Sequence, residues 1–124
     1  MPGRLFGTRE RGDSAERIAE NHLAAHGLSL VARNYRCRFG EIDLIMRDRD
    51  TTVFVEVRLR QTKGNRDYGG AAASISPRKQ ARIVAAAQHY LAGMKQLPPC
   101  RFDAVLLNQL TDAHIEWIKD AFGA

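Results

Sequence analysis

The chain has 124 residues, 44% hydrophobic and 27% charged, with a formal net charge of +5 and an isoelectric point near 9.7. This length and apolar content suit one domain with its own core, and no stretch is apolar for long enough to span a membrane. The basic balance rests mainly on arginine, since Lys63, Lys79, Lys95 and Lys119 are the only lysines. Arginine forks suit phosphate, so nucleic acid is the leading partner class, ahead of an anionic membrane surface. Cys37 and Cys100 stand alone, without a Cys/His cluster, which argues against zinc and for a reduced chain. The first residues lack the apolar run of a secretory signal, and a cytoplasmic location is expected.

Residues 1–12 are rich in Gly and Arg and read as a flexible segment, with one domain over 13–124. Asp13 offers an N-cap, Glu16 follows at capping-box spacing, and the helix is expected to reach His26 and stop at Gly27. Leu28 to Tyr35 reads as a strand, and Arg36 to Gly40 as its connection onward. Glu41 to Arg47 and Val53 to Arg60 form a hairpin about the polar turn at Arg49 and Asp50. Gln61 to Ser76 is a long Gly-containing connection of the kind that is usually functional or disordered. Ser76-Pro77 starts a second helix expected to run to Ala92, with Ile83, Ala87, Tyr90 and Leu91 on one face. Arg101 to Leu107 and His114 to Lys119 complete the order α-β-β-β-α-β-β. A helical crossover makes the sheet mixed, with the fourth strand parallel to the third and a right-handed connection.

The hairpin carries the chemistry. Folded symmetrically, it pairs residues whose numbers sum to 99. Ile42, Leu44 and Met46 then meet Val57, Val55 and Val53 on a buried face. On the opposite face Glu41 meets Arg58, and Asp43 meets Glu56 with Cβ atoms about 5 Å apart. Two carboxylates so close repel unless a cation lies between them, and a divalent metal, Mg2+ or Mn2+, fits that need. Arg58, two residues beyond Glu56, is the candidate cation for charge on phosphorus. Glu16 is a candidate third metal ligand, and its capping-box role stands open beside that. The bland alternatives are a Glu41–Arg58 surface salt bridge and solvated strand carboxylates. Asp103 reads as structural, the four histidines show no ligand spacing, and Tyr90 and Trp117 read as core.

Asn34-Tyr-Arg36, Gly40-Glu-Ile-Asp-Leu-Ile45, Phe54-Val-Glu-Val-Arg-Leu-Arg60, Ser76-Pro-Arg-Lys-Gln80 and Cys100-Arg-Phe-Asp103 together resemble the YraN family of small bacterial proteins. That family is similar to archaeal Holliday-junction resolvases and to the PD-(D/E)xK nucleases. The resemblance implies a restriction-endonuclease-like α/β fold, with Glu16, Asp43 and Glu56 as the acids of the site. It also shows a departure. The superfamily has lysine where this chain has Arg58, and an arginine cannot deprotonate near neutrality or take a lysine's place around an attacking water.

Arg60, Lys63, Arg78, Lys79 and Arg82 cluster around the long connection and the second helix start, and Arg36 and Arg38 extend the set. Such a cluster makes a phosphate track, with a solvated basic face as the plain alternative. The expected function is metal-dependent binding and cleavage of DNA, branched DNA included, with RNA also admissible as a partner. A binding module without turnover is the first alternative and a protein–protein adaptor the second. Junction resolution would require a homodimer.

Overall fold

The structure is a computed structural model and describes residues 8–59, 75–108 and 115–123. Its elements are α1 (Thr8–Ala25), β1 (Ser29–Cys37), β2 (Gly40–Asp48), β3 (Thr51–Leu59), α2 (Pro77–Leu91), β4 (Cys100–Leu107) and β5 (Ile115–Phe122). The five strands form one mixed sheet in the order β1-β2-β3-β4-β5, antiparallel except for the parallel pair β3 and β4. This is the α/β architecture expected from the sequence, with α2 as the crossover.

Both faces of the sheet are covered. On one, Ala15, Ala19 and Leu23 of α1 pack on Leu44, Met46, Val53, Val55, Val105 and Leu107. On the other, Ile83, Ala86 and Ala87 of α2 pack on Ile42, Ile45, Phe54, Phe102 and Ala104. The central strands β2, β3 and β4 therefore bury both side-chain sets, which is why β3 reads as a nearly unbroken apolar run.

Three boundaries differ from expectation. Helix α1 begins at Thr8, so Asp13 lies within it and is not its cap. Its end is as expected: Gly27 has φ 97°, its N–H donates to the Ala24 carbonyl and that of Leu28 to Leu23, the paired bonds of a Schellman stop. The β1–β2 link is a two-residue turn at Arg38 and Phe39, closed by the pair Cys37↔Gly40. Strand β5 runs on to Phe122, whose ring stacks on Phe102 with centroids 5.2 Å apart. Lys119 and Asp120 interrupt its apolar pattern and hide that extension in the sequence.

The hairpin register is the expected one from Asp48↔Thr51 to Leu44↔Val55, and there it ends. The Val57 N–H donates to the Asp43 carboxylate at 2.8 Å instead of continuing a strand ladder. Beyond this point the alternation slips by one residue. Ile42 packs on the α2 side with Ile45, not beside Leu44 and Met46 as expected. Strand β1 shifts its register on β2 between Leu30 and Ala32, and its side-chain alternation is broken again opposite Asp43. Asn34, between the pairs Arg33↔Leu44 and Tyr35↔Ile42, is left-handed at φ 52°, and Ala32 and Tyr35 both face α2.

Candidate functional site

The slip in β2 is where the acids meet. Asp43 is 9% exposed and Glu56 3%, in a sheet whose neighbouring side chains are aliphatic. They are not regular ladder partners, yet their carboxyl groups reach each other within hydrogen-bonding range, and Glu16 of α1 reaches Asp43 as well. Burial raises the pKa of Asp43, against the Val57 N–H and the neighbouring side chains, which lower it. Glu56 is pushed up to about 7, first by burial and then by the charge on Asp43. Both carboxyls are thus harder to ionise than usual, and Glu56 holds its proton toward neutrality.

Among the described residues, the cation that pairs with Glu56 comes from α2. The Lys79 Nζ lies 3.1 Å from the Glu56 Oε2. Its position follows from the helix start. Ser76 is the N-cap, Pro77 opens the first turn, and the Ser76 Oγ accepts the Lys79 N–H at 3.1 Å. The first turn holds no acid, and Arg78 and Lys79 carry positive charge there instead. Cations at a helix N-terminus oppose its dipole, so the local sequence gives up some helix stability to place charge at this spot.

A cleft of about 420 Å³ opens beside Lys79, lined by Glu41, Ser76, Arg78, Lys79, Arg82 and Ile83. Its wall is held close by Gly40. A Cβ on Gly40 would lie 2.8 Å from the Arg82 carbonyl oxygen, so only glycine lets the β1–β2 hairpin sit this near α2.

The remaining expected site residues fall as follows. Arg58 is half-buried, and among the described residues it makes no ion pair. Glu41 pairs with Arg36 at 3.6 Å across β1 and β2, in place of the Arg58 contact expected from hairpin symmetry. Arg38 lies over the Phe39 ring at 5.0 Å. Arg60 and Lys63 lie outside the described residues. Among the described residues no group of three or more His, Cys, Asp or Glu side chains is arranged to hold a metal ion. Glu16 therefore stands beside Asp43 without completing a three-ligand set. Two buried carboxylates, one of them paired with the Lys79 ammonium, still suit a hard divalent cation, because Mg2+ commonly takes one or two carboxylates and fills its remaining positions with water and phosphate oxygens.

Asp103 is a different kind of acid. It is fully buried and accepts from the Arg101 Nε at 3.0 Å, the Trp117 Nε1 at 3.0 Å and the Asp120 N–H at 3.0 Å. Arg101 continues to Asp48 at 3.0 Å, tying β4, β5 and the β2–β3 turn together. This is the structural role expected of Asp103.

The model of the family described as "Uncharacterised protein family UPF0102" matches residues 15–107. The chain belongs to UPF0102. It is 58% identical over 114 residues to a UPF0102 protein of Nitrosospira multiformis, covering 92% of this chain and 93% of that one. It is 54% identical over 112 residues to one of Nitrosomonas europaea (90% and 92% covered) and 50% over 119 to one of Ralstonia nicotianae (94% and 89% covered). The UPF0102 match spans Glu16, Asp43, Glu56, Lys79 and Asp103, and so takes in both the acid pair and its structural neighbour. The partner of Glu56 is what the sequence reading of this UPF0102 chain missed. Lys79 was grouped with the phosphate track, and the reversed charge in the first turn of α2 was the available signal for more. Among the described residues, no helix is long and apolar enough to cross a membrane.

Proposed function

We propose that this UPF0102 protein binds nucleic acid, DNA foremost, along the Arg78–Arg82 cleft and hydrolyses a phosphodiester at Asp43 and Glu56. The observation that carries the proposal is the buried acid pair with the Lys79 ammonium on Glu56, Lys79 being at the same time part of the wall of a basic cleft. Asp43 and Glu56 would hold Mg2+ or Mn2+, which when bound supplies Lewis-acid polarisation of the phosphate and activation of water. Lys79, 3.1 Å from Glu56, would supply from α2 the lysine that the third position of Glu-x-Arg lacks. Its ammonium stabilises charge on the phosphoryl oxygens. Arg78 and Arg82 orient the strand through its phosphates.

The test is cleavage of duplex, single-stranded and four-way DNA by the purified protein with Mg2+ or Mn2+. Metal-dependent cleavage that Asp43→Asn and Glu56→Gln abolish is the expected result. A four-way substrate cut in paired strands would add a homodimer. Salt-sensitive binding without cleavage under either metal would instead establish the binding-module reading. No binding at low salt would sink both and leave the adaptor.

A further inference from the structure

The two-residue turn between β1 and β2 is made of Arg38 and Phe39, in place of the Gly, Asn or Asp that such turns usually use. Phe39 is 41% exposed although it is one of the larger apolar side chains. It is also firmly backed. Its ring lies 5.8 Å from that of His89 on α2, and the His89 Nδ1 is hydrogen-bonded to the Tyr35 hydroxyl. Tyr35 in turn meets Tyr90 edge-on at 5.3 Å. The exposed Arg38 lays its guanidinium over the Phe39 ring at 5.0 Å. The turn cannot drift from α2, because Gly40 is seated against the Arg82 carbonyl, and Glu41 and Arg82 already line the cationic cleft.

A firmly backed, exposed aromatic ring with an arginine plane on it, two residues from the Glu41 wall of a basic cleft, has the two parts of a single-strand site. Cations track the backbone, and flat groups take the base. We infer that Arg38 and Phe39 form a stacking platform for an unpaired nucleobase next to the phosphates held by Arg78 and Arg82. This rests on the nucleic-acid reading above and deepens it. The substrate would carry a single-stranded, frayed or branch-point nucleotide at this place, since a base stacked inside a duplex presents no free face to the turn.

The inference is tested by binding alone, in EDTA, so that it does not depend on cleavage. Fluorescence anisotropy would compare a short labelled single strand, made as DNA and as RNA, with its blunt DNA duplex for wild type, Phe39→Leu and Phe39→Trp. Leucine keeps an apolar contact to His89 but offers no ring. We expect wild type to prefer a single strand to the duplex. Phe39→Leu should weaken single-strand binding roughly 5- to 150-fold, the range of one lost base–aromatic stack, and leave duplex binding unchanged. Phe39→Trp should restore the preference. Whichever sugar shows the larger Phe39 effect identifies the strand type. Equal affinity for strand and duplex, or a single-strand affinity unmoved by Phe39→Leu, would overturn the platform while leaving the cleft and acid pair in place. Absence of binding to every nucleic acid would overturn the platform together with the reading on which it rests. An equal loss on both substrates with a lowered melting temperature would show that Phe39 serves the fold, and would also reject the platform.

Discussion

Glu56 is a carboxylic acid that the fold makes hard to ionise. Its pKa is raised from 4.5 to about 7, chiefly by burial and then by Asp43. Between those values the folded chain keeps a proton that the unfolded chain has released, so stability falls as pH rises through that window and stays lower above it. The full penalty is on the order of 3–4 kcal/mol. In metal-free buffer, Glu56→Gln should therefore gain melting temperature over wild type at pH 8 and lose that advantage near pH 4. Melting curves that track each other at every pH would mean that Glu56 ionises without penalty. Lys79 is the counterpart. Removing it as Lys79→Ala leaves two carboxylates without an ammonium, so the Glu56 pKa should climb further, visible in carboxyl carbon NMR titration. Under the proposed function, cleavage should fall on the order of a hundredfold or more, the usual worth of one well-placed transition-state contact. Arg58→Lys is expected to leave cleavage near the wild-type rate, because Lys79 already occupies the place beside Glu56. A large gain from Arg58→Lys would return the cationic role to β3.

Two elements meet at Gly40, and their contact is steric. A methyl group there lies 2.8 Å from backbone at Arg82, which no side-chain rotation relieves. Gly40→Ala should destabilise the chain by about 1–3 kcal/mol, the usual range for overpacking, as read by urea denaturation. An unchanged midpoint would show that the hairpin and α2 separate freely. At the other end of the sheet, β4 is held to β5 by Asp103. Burial works against the charge of Arg101, and its hydrogen bonds to Asp103 and Asp48 outweigh that, so its pKa is raised. Among the described residues the Arg101 Nη2 is buried without a hydrogen-bond partner. Asp103→Asn should cost about 3–5 kcal/mol, the range for breaking a buried ion pair by removing one member. Metal affinity should not change, since Asp103 accepts from three protein donors and belongs to a different cluster from Asp43.

At the scale of the whole molecule, the sheet is a partition with α1 on one side and α2 on the other, and the acid pair sits where the β2–β3 pairing stops. The net charge of +5 is concentrated in effect by the cleft at the start of α2. Binding to nucleic acid is therefore expected to be mostly electrostatic and to weaken steeply with salt. Replacing Arg78 and Arg82 by glutamine should lower the slope of log K against log salt by roughly one for each lost phosphate contact, with little dependence on sequence. A slope that stays the same would place the phosphate track elsewhere on the surface.

The sequence by itself determined the elements and most of the register. Apolar alternation specifies the hairpin about Arg49 and Asp50, Gly27 ends α1, and Ser76-Pro77 starts α2, because each of these depends on residues a few positions apart. Asp43 and Glu56 could be put together from that register alone. The tertiary structure decided what surrounds them. That the ladder stops at Leu44 and Asp43 takes the Val57 N–H goes with broken alternation in both β1 and β2 around Asn34 and Asp43, which has no sequence period. That Lys79 and not Arg58 stands on Glu56 is set by the packing of α2 across the sheet, which brings residues 23 apart in sequence to 3.1 Å. Strand spacing can only nominate a cation on the same strand. The helix that delivers one from outside becomes visible only when its apolar face has found the sheet.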